Sequence, residues 1–181
     1  MRHARMTLLS LMTISLLLLQ PDFGQNRKVD LRGHLGHTYL LEDTPPQAWL
    51  GGGAITAAAG SRFRIGLEVL HANMFGKYDD YKERALLITP VVEYEFSPGR
   101  RINPYLAFGF GFTRYRALEP NAEHFFDPSL PEFEWRSEGG INLSGGLGLR
   151  VFITKGFFVA PEVRIGLLPV LRSTISIGYA F

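Results

Sequence analysis

Cysteine is absent from the 181 residues, which excludes disulfides, thiol catalysis and cysteine-held metal. Charge of one sign is also scarce: 19 Lys and Arg stand against 17 Asp and Glu, a formal net charge of +2. No basic cluster offers the electrostatic footprint of a nucleic-acid binder. Long hydrophobic runs are limited to one, Met6 to Leu19. That run is too short to span a bilayer as a helix, which takes about 20 residues. Glycine is abundant at 20 residues, and so are aromatics, with 14 Phe and 7 Tyr.

The N-terminus carries Arg2 and Arg5, then the uncharged run, then "QPDFGQ". A basic start, a short apolar stretch and a polar exit form the pattern of a secretory signal peptide. Cleavage is expected near Gly24, although Asp22 is a poor residue at the −3 position of that site. Residues 1–24 are read as the signal peptide and 25–181 as one domain. An exported chain without a transmembrane helix can still cross a membrane as strands.

Turn signals cut the remainder into short segments: "VDLRGHLGHTYL", "WLGGGAITAAAG", "SRFRIGLEVLHA", "ALLITPVVEYEF", "PYLAFGFGFTRYR", "INLSGGLGLRVFI", "FFVAPEVRIGL" and "STISIGYAF". Their period of two predicts eight strands. The connections alternate in length, with the longer ones first, third and fifth, the fifth a long loop over 117–138. An up-and-down antiparallel barrel sorts such connections to opposite ends.

Each strand has two faces. One carries Leu31 and Leu35, Phe63 to Val69, Leu106 to Phe112, Leu143 to Ile153, and Ile175 to Phe181 at alternate positions. The other mixes Gly, Ala, Ser and Thr with Asp30, Arg32, His34, Arg64, Glu68, Glu93, Glu95, Arg150, Glu162 and Arg164. Eight strands leave an interior that side chains just fill. Small residues suit that space, and the bulky apolar set suits an outer wall facing lipid. The expected fold is all-β, an eight-stranded antiparallel up-and-down transmembrane β-barrel. Pro90 and Pro161 fall on the outward face of interior strands, where bulges would accommodate them.

The eight dyad-repeat strands, "NPYLAFGFGFT", "PEVRIGL" and the final "ISIGYAF" together resemble the small outer-membrane β-barrels of Gram-negative bacteria, the OmpA-like and OmpX-like group. The resemblance covers Val29 to Phe181. It implies residence in the outer membrane among its lipids. It also implies that Ile175, Ile177, Tyr179 and Phe181 form the signal read by the barrel-assembly machinery. The separate peptidoglycan-binding domain of full-length OmpA proteins has no counterpart here.

Inward Arg32, Arg64, Arg150 and Arg164 are expected to pair with Glu68, Glu93, Glu95 and Glu162 as a plug. Some barrels of this size modify lipid A, with a His and a Ser two apart on one strand beside an acid. No mature histidine here has Ser or Thr two positions on, and His34 and His37 fall on opposite faces. The segment Leu118 to Glu138 sets Phe125, Phe126, Phe133 and Trp135 among acids and prolines, a candidate external binding loop. The reading is a monomeric structural or surface-binding barrel with an extracellular partner at that loop. It is not an enzyme and needs no cofactor or metal. A ligand-binding or minor-pore transport barrel is the alternative, and a lipid A-modifying enzyme ranks third.

Overall fold

The computed structural model describes residues 28–39, 47–75, 82–167 and 171–181; the expected signal peptide lies outside them. Eight strands form one closed antiparallel barrel in sequence order. They are β1 (Val29–Tyr39), β2 (Gln47–Ala58), β3 (Phe63–Phe75), β4 (Lys82–Glu95), β5 (Ile102–Pro120), β6 (Phe133–Phe152), β7 (Phe157–Gly166) and β8 (Leu171–Ala180). Closure of β8 on β1 runs to the last residue, where the Phe181 N–H donates to Val29 O and Phe181 O accepts from Lys28 N.

The register is staggered. Following paired residues from Val29 through Ala57, Ile65, Val92, Phe108, Gly145, Ile165 and Leu171 returns to β1 at Tyr39, ten positions along. Such a shear tilts strands about 35–45° from the barrel axis and leaves a narrow interior.

The two faces fall as the alternation implies. Leu35, Phe110, Phe112, Leu147, Ile165 and Ile175 are exposed on the outside, while Arg32, Glu68, Glu93, Arg150 and Arg164 are buried inside. At the end that holds Lys28 and Phe181, outward aromatics form clusters. Phe63 and Phe96 each meet Tyr94 edge-on with centroids 5.2 Å apart, and Tyr179 meets Phe181 at 4.9 Å. Aromatic girdles of this kind mark the edge of a lipid-facing band.

Three expectations are corrected. First, residues 117–138 are not one loop: β5 runs to Pro120 and pairs with β6 as far as Phe133, leaving 121–132 between strands. Phe133 and Trp135 therefore sit on a strand. Second, neither proline needs a bulge. Pro90 pairs with Leu67, while the β4–β5 ladder stops at Ile88–Phe112 and resumes at Val91–Gly109 in the same register. Pro161 pairs with Ile175, and the β6–β7 ladder skips from Gly148–Glu162 to Val151–Val159. A residue in an antiparallel ladder directs its N–H to one neighbour only, so each proline interrupts one ladder and spares the other. Third, the interior is not purely polar. Leu50, Leu70 and Leu87 form an inward apolar cluster, and Tyr105, Phe152 and Phe158 form another.

Candidate functional site: the plugged lumen and the hairpin tip

Inward positions on seven of the strands supply the lumen's charges and aromatics, and ion pairs join walls that are not neighbours in the sheet. Arg32 on β1 reaches Glu93 on β4. Arg150 on β6 reaches Glu95 and Glu93 on β4, the latter at 3.0 Å, and Asp30 on β1 at 3.2 Å. Its guanidinium also lies 5.2 Å from the Tyr105 ring centroid and 5.1 Å from that of Phe158. Arg64 closes this half through Asp30 at 3.0 Å.

A second group lies alongside. Arg164 binds Glu162 at 2.7 Å and Glu68 at 3.3 Å, and Arg172 binds Glu68 at 2.9 Å. The Tyr105 hydroxyl donates to Glu162 Oε2 at 3.0 Å and links the two groups. Five buried guanidiniums (Arg32, Arg64, Arg150, Arg164, Arg172) thus face five buried carboxylates (Asp30, Glu68, Glu93, Glu95, Glu162). A matched set is what a low-dielectric interior tolerates, because an unpaired buried charge is expensive.

All eight residues expected in the network are in it. Three were missed. Asp30 and His34 were assigned inward without partners, and Arg172 fell in a segment read as a turn. His34 Nδ1 lies 2.7 Å from Ser176 Oγ, and its Nε2 lies 3.7 Å from Glu68. The serine comes from the neighbouring strand through the His34–Ser176 pairing, so a search along one strand could not find it. Ser176 is fully buried, which leaves its hydroxyl no approach for a substrate in this arrangement.

Glycines make room for the large inward rings. A Cβ at Gly148 would fall within 3.0 Å of the Tyr105 ring, and one at Gly178 within 3.0 Å of the Phe158 ring. Tyr105 and Gly148 are cross-strand partners, as are Phe158 and Gly178.

Beyond the barrel, the β5–β6 hairpin ends in a short ordered loop. Asn121 caps the 3-10 turn Ala122–Phe125 by accepting from the Glu123 N–H at 3.0 Å. His124 Nδ1 meets Leu130 O at 2.6 Å. The Asp127 carboxylate accepts from the Ser129 hydroxyl at 2.7 Å and from its N–H at 3.0 Å, which holds its pKa below the ordinary aspartate value. On this frame Phe125 and Phe126 are 86 % and 87 % exposed, edge-to-face with centroids 5.6 Å apart. Trp135 sits lower, under the Arg84 guanidinium at 5.4 Å. The four aromatics expected in one loop therefore divide between tip and stem.

An apolar outer wall around an interior lined with paired charges defines a membrane-spanning β-barrel. No family model matches the sequence, and no curated protein matches it. Solved structures do match. The N-terminal β-barrel domain of Pseudomonas aeruginosa OprF is similar with a TM-score of 0.57 at 15% identity, covering 86% of this chain and 98% of that one. Neisserial surface protein A gives 0.65 at 11%, covering 84% and 95%. The outer membrane protein OprG from Pseudomonas aeruginosa gives 0.54 at 12%, covering 88% and 99%. The chain has the fold of the small eight-stranded outer-membrane β-barrels.

Proposed function

We propose that this protein is an integral barrel of the bacterial outer membrane that binds a partner at the cell surface through the tip of its β5–β6 hairpin. The barrel is its anchor and conducts no solute. One observation carries the binding reading: Phe125 and Phe126 stand almost fully exposed on a loop ordered by its own hydrogen bonds. Exposed neighbouring aromatics on a rigid frame are the usual anchors of an interface. Glu123, Asp127 and Glu132 share the loop with them, while Arg136 is engaged by Glu119 at 3.5 Å and Glu134 at 3.0 Å lower on the stem. The partner is therefore a surface with an apolar pocket rimmed by basic groups.

The matched lumen charges support the anchor half of the reading, since they brace opposite walls where a pore would need open space. The protein acts as a monomer and without catalysis. Its last strand, with Ile175, Ile177, Tyr179 and Phe181 facing out, is the segment the barrel-assembly machinery engages. The test replaces Phe125 and Phe126 with Ser in cells that display the protein. Adhesion to host cells or phage adsorption should fall at unchanged surface level, with permeability unaltered. Unchanged adhesion and adsorption, together with altered uptake of small solutes, would overturn the proposal in favour of transport.

A further inference from the structure

On β3 to β6 the outer wall changes character at one height. Val69, Ile88, Phe112 and Ile141 belong to the exposed apolar band. Beyond them, away from Lys28 and Phe181, the next outward positions include His71 and Asn73, Arg84, Arg114 and Arg116, and Ser137. The register aligns Asn73, Arg84, Arg116 and Ser137 in one row and His71, Leu86, Arg114 and Gly139 in the row nearer the band. Arg84 and Arg116 are direct cross-strand partners. Like charges placed opposite one another disfavour a sheet unless something neutralises them.

Nothing in the protein does so among the described residues. All three arginines are exposed, and none forms an ion pair with a carboxylate there. Glu138 lines a hollow beside Arg114 without such a pair. Two of the guanidiniums are nevertheless held in place. Arg114 Nε donates to Ser137 Oγ at 2.9 Å, and Arg84 lies over Trp135. A hollow of about 340 Å³ between His71, Arg84, Arg114 and Arg116 adjoins one of about 510 Å³ lined by Leu86, Ile88, Phe112 and Arg114. A basic recess thus opens onto an apolar groove on the lipid-facing wall.

We infer that Arg84, Arg114 and Arg116 hold the phosphate of a membrane lipid, with its acyl chain in the groove between Leu86, Ile88 and Phe112. Guanidinium forks match phosphate oxygens in pairs, and the anion cancels the Arg84–Arg116 repulsion. A tryptophan at the edge of the band suits the same headgroup level. A soluble polyanion would meet the arginines and leave the groove unused, so the lipid uses more of the site. The inference rests on the outer wall facing lipid and not on binding at the hairpin tip.

The test uses the full mature chain in nanodiscs of phosphatidylcholine doped with phosphatidate, with retained lipid counted by native mass spectrometry after mild delipidation. The wild type should retain phosphatidate over phosphatidylcholine by roughly tenfold or more. The Arg84→Gln/Arg116→Gln variant should lose that preference, whereas Arg100→Gln/Arg101→Gln at the opposite end should keep it. Heat-modifiable gel migration verifies folding. If the Gln pair does not fold, Arg84→Lys/Arg116→Lys keeps the charge, loses the fork and should show intermediate retention. Equal retention by wild type and either of the two Arg84/Arg116 variants would overturn the inference. So would full displacement of the lipid by inorganic pyrophosphate, which would assign the recess to a soluble anion.

Discussion

Replacing Arg150 with Met keeps most of the side chain's volume and removes its charge. Asp30, Glu93 and Glu95 would then face only Arg32 and Arg64, and the lumen would hold one carboxylate more than its guanidiniums. Breaking a buried pair by removing one partner costs about 3–5 kcal/mol. The lost contacts with the Tyr105 and Phe158 rings fall within that figure. For a domain of this size about 2–4 °C follows each kcal/mol, so the melting temperature should drop by roughly 6–20 °C. Urea unfolding in lipid vesicles, followed by tryptophan emission, gives the same quantity as a shift in midpoint at unchanged slope. Adding Glu95→Gln removes the carboxylate that pairs with Arg150, leaves Arg32–Glu93 and Arg64–Asp30 together, and should recover most of the loss, a coupling well above ~1 kcal/mol. A loss below about 1 kcal/mol for Arg150→Met, or additive losses in the double variant, would refute the matched-charge account of the lumen.

Other consequences are open to simple assays. In planar bilayers the purified protein should show no steady conductance; large, stable, ion-selective channels would contradict the braced lumen. Gly148→Val should push the Tyr105 ring off Glu162 and cost roughly 1–3 kcal/mol by overpacking, measured as reduced refolding and a lower urea midpoint. Gly145→Val, whose added Cβ would meet only the Phe108 ring at 3.4 Å on the outer wall, should be close to neutral. Phe181→Asp leaves the backbone bonds to Lys28 and Val29 available, so refolding in detergent should be nearly normal while outer-membrane levels fall in cells. Equal loss in both assays would make Phe181 a packing residue alone.

The strand count and the two faces were legible because lipid outside and side chains inside impose opposite demands at alternate residues. Leu106, Phe108 and Phe110 against Ala107 and Gly109 show this most plainly. Legibility failed where that contrast is missing. The upper β5–β6 hairpin, with Glu119, Pro120 and Glu134, has a polar composition typical of loops, yet its backbone stays paired to Phe133. Arg172 lay in "LPVLR", where no alternation signalled a strand. Inward Tyr105 and Phe158 depend on Gly148 and Gly178 lying opposite, and the His34–Ser176 contact depends on β1 pairing with β8. Those facts belong to register, and a single strand's sequence does not carry register. The Arg84–Arg116 pairing was hidden for the same reason.

The apolar face of each strand meets lipid and the charged face fills the interior. Phe110, 63 % exposed at mid-wall, offers the direct test. Trp49 and Trp135 are replaced by Phe, Phe110 is replaced by Trp, and the variant is reconstituted in vesicles of phosphatidylcholine brominated along its chains. Emission from Trp at this position should be blue-shifted, strongly quenched by the bromolipid and insensitive to aqueous iodide. Emission quenched by iodide and untouched by the bromolipid would contradict it.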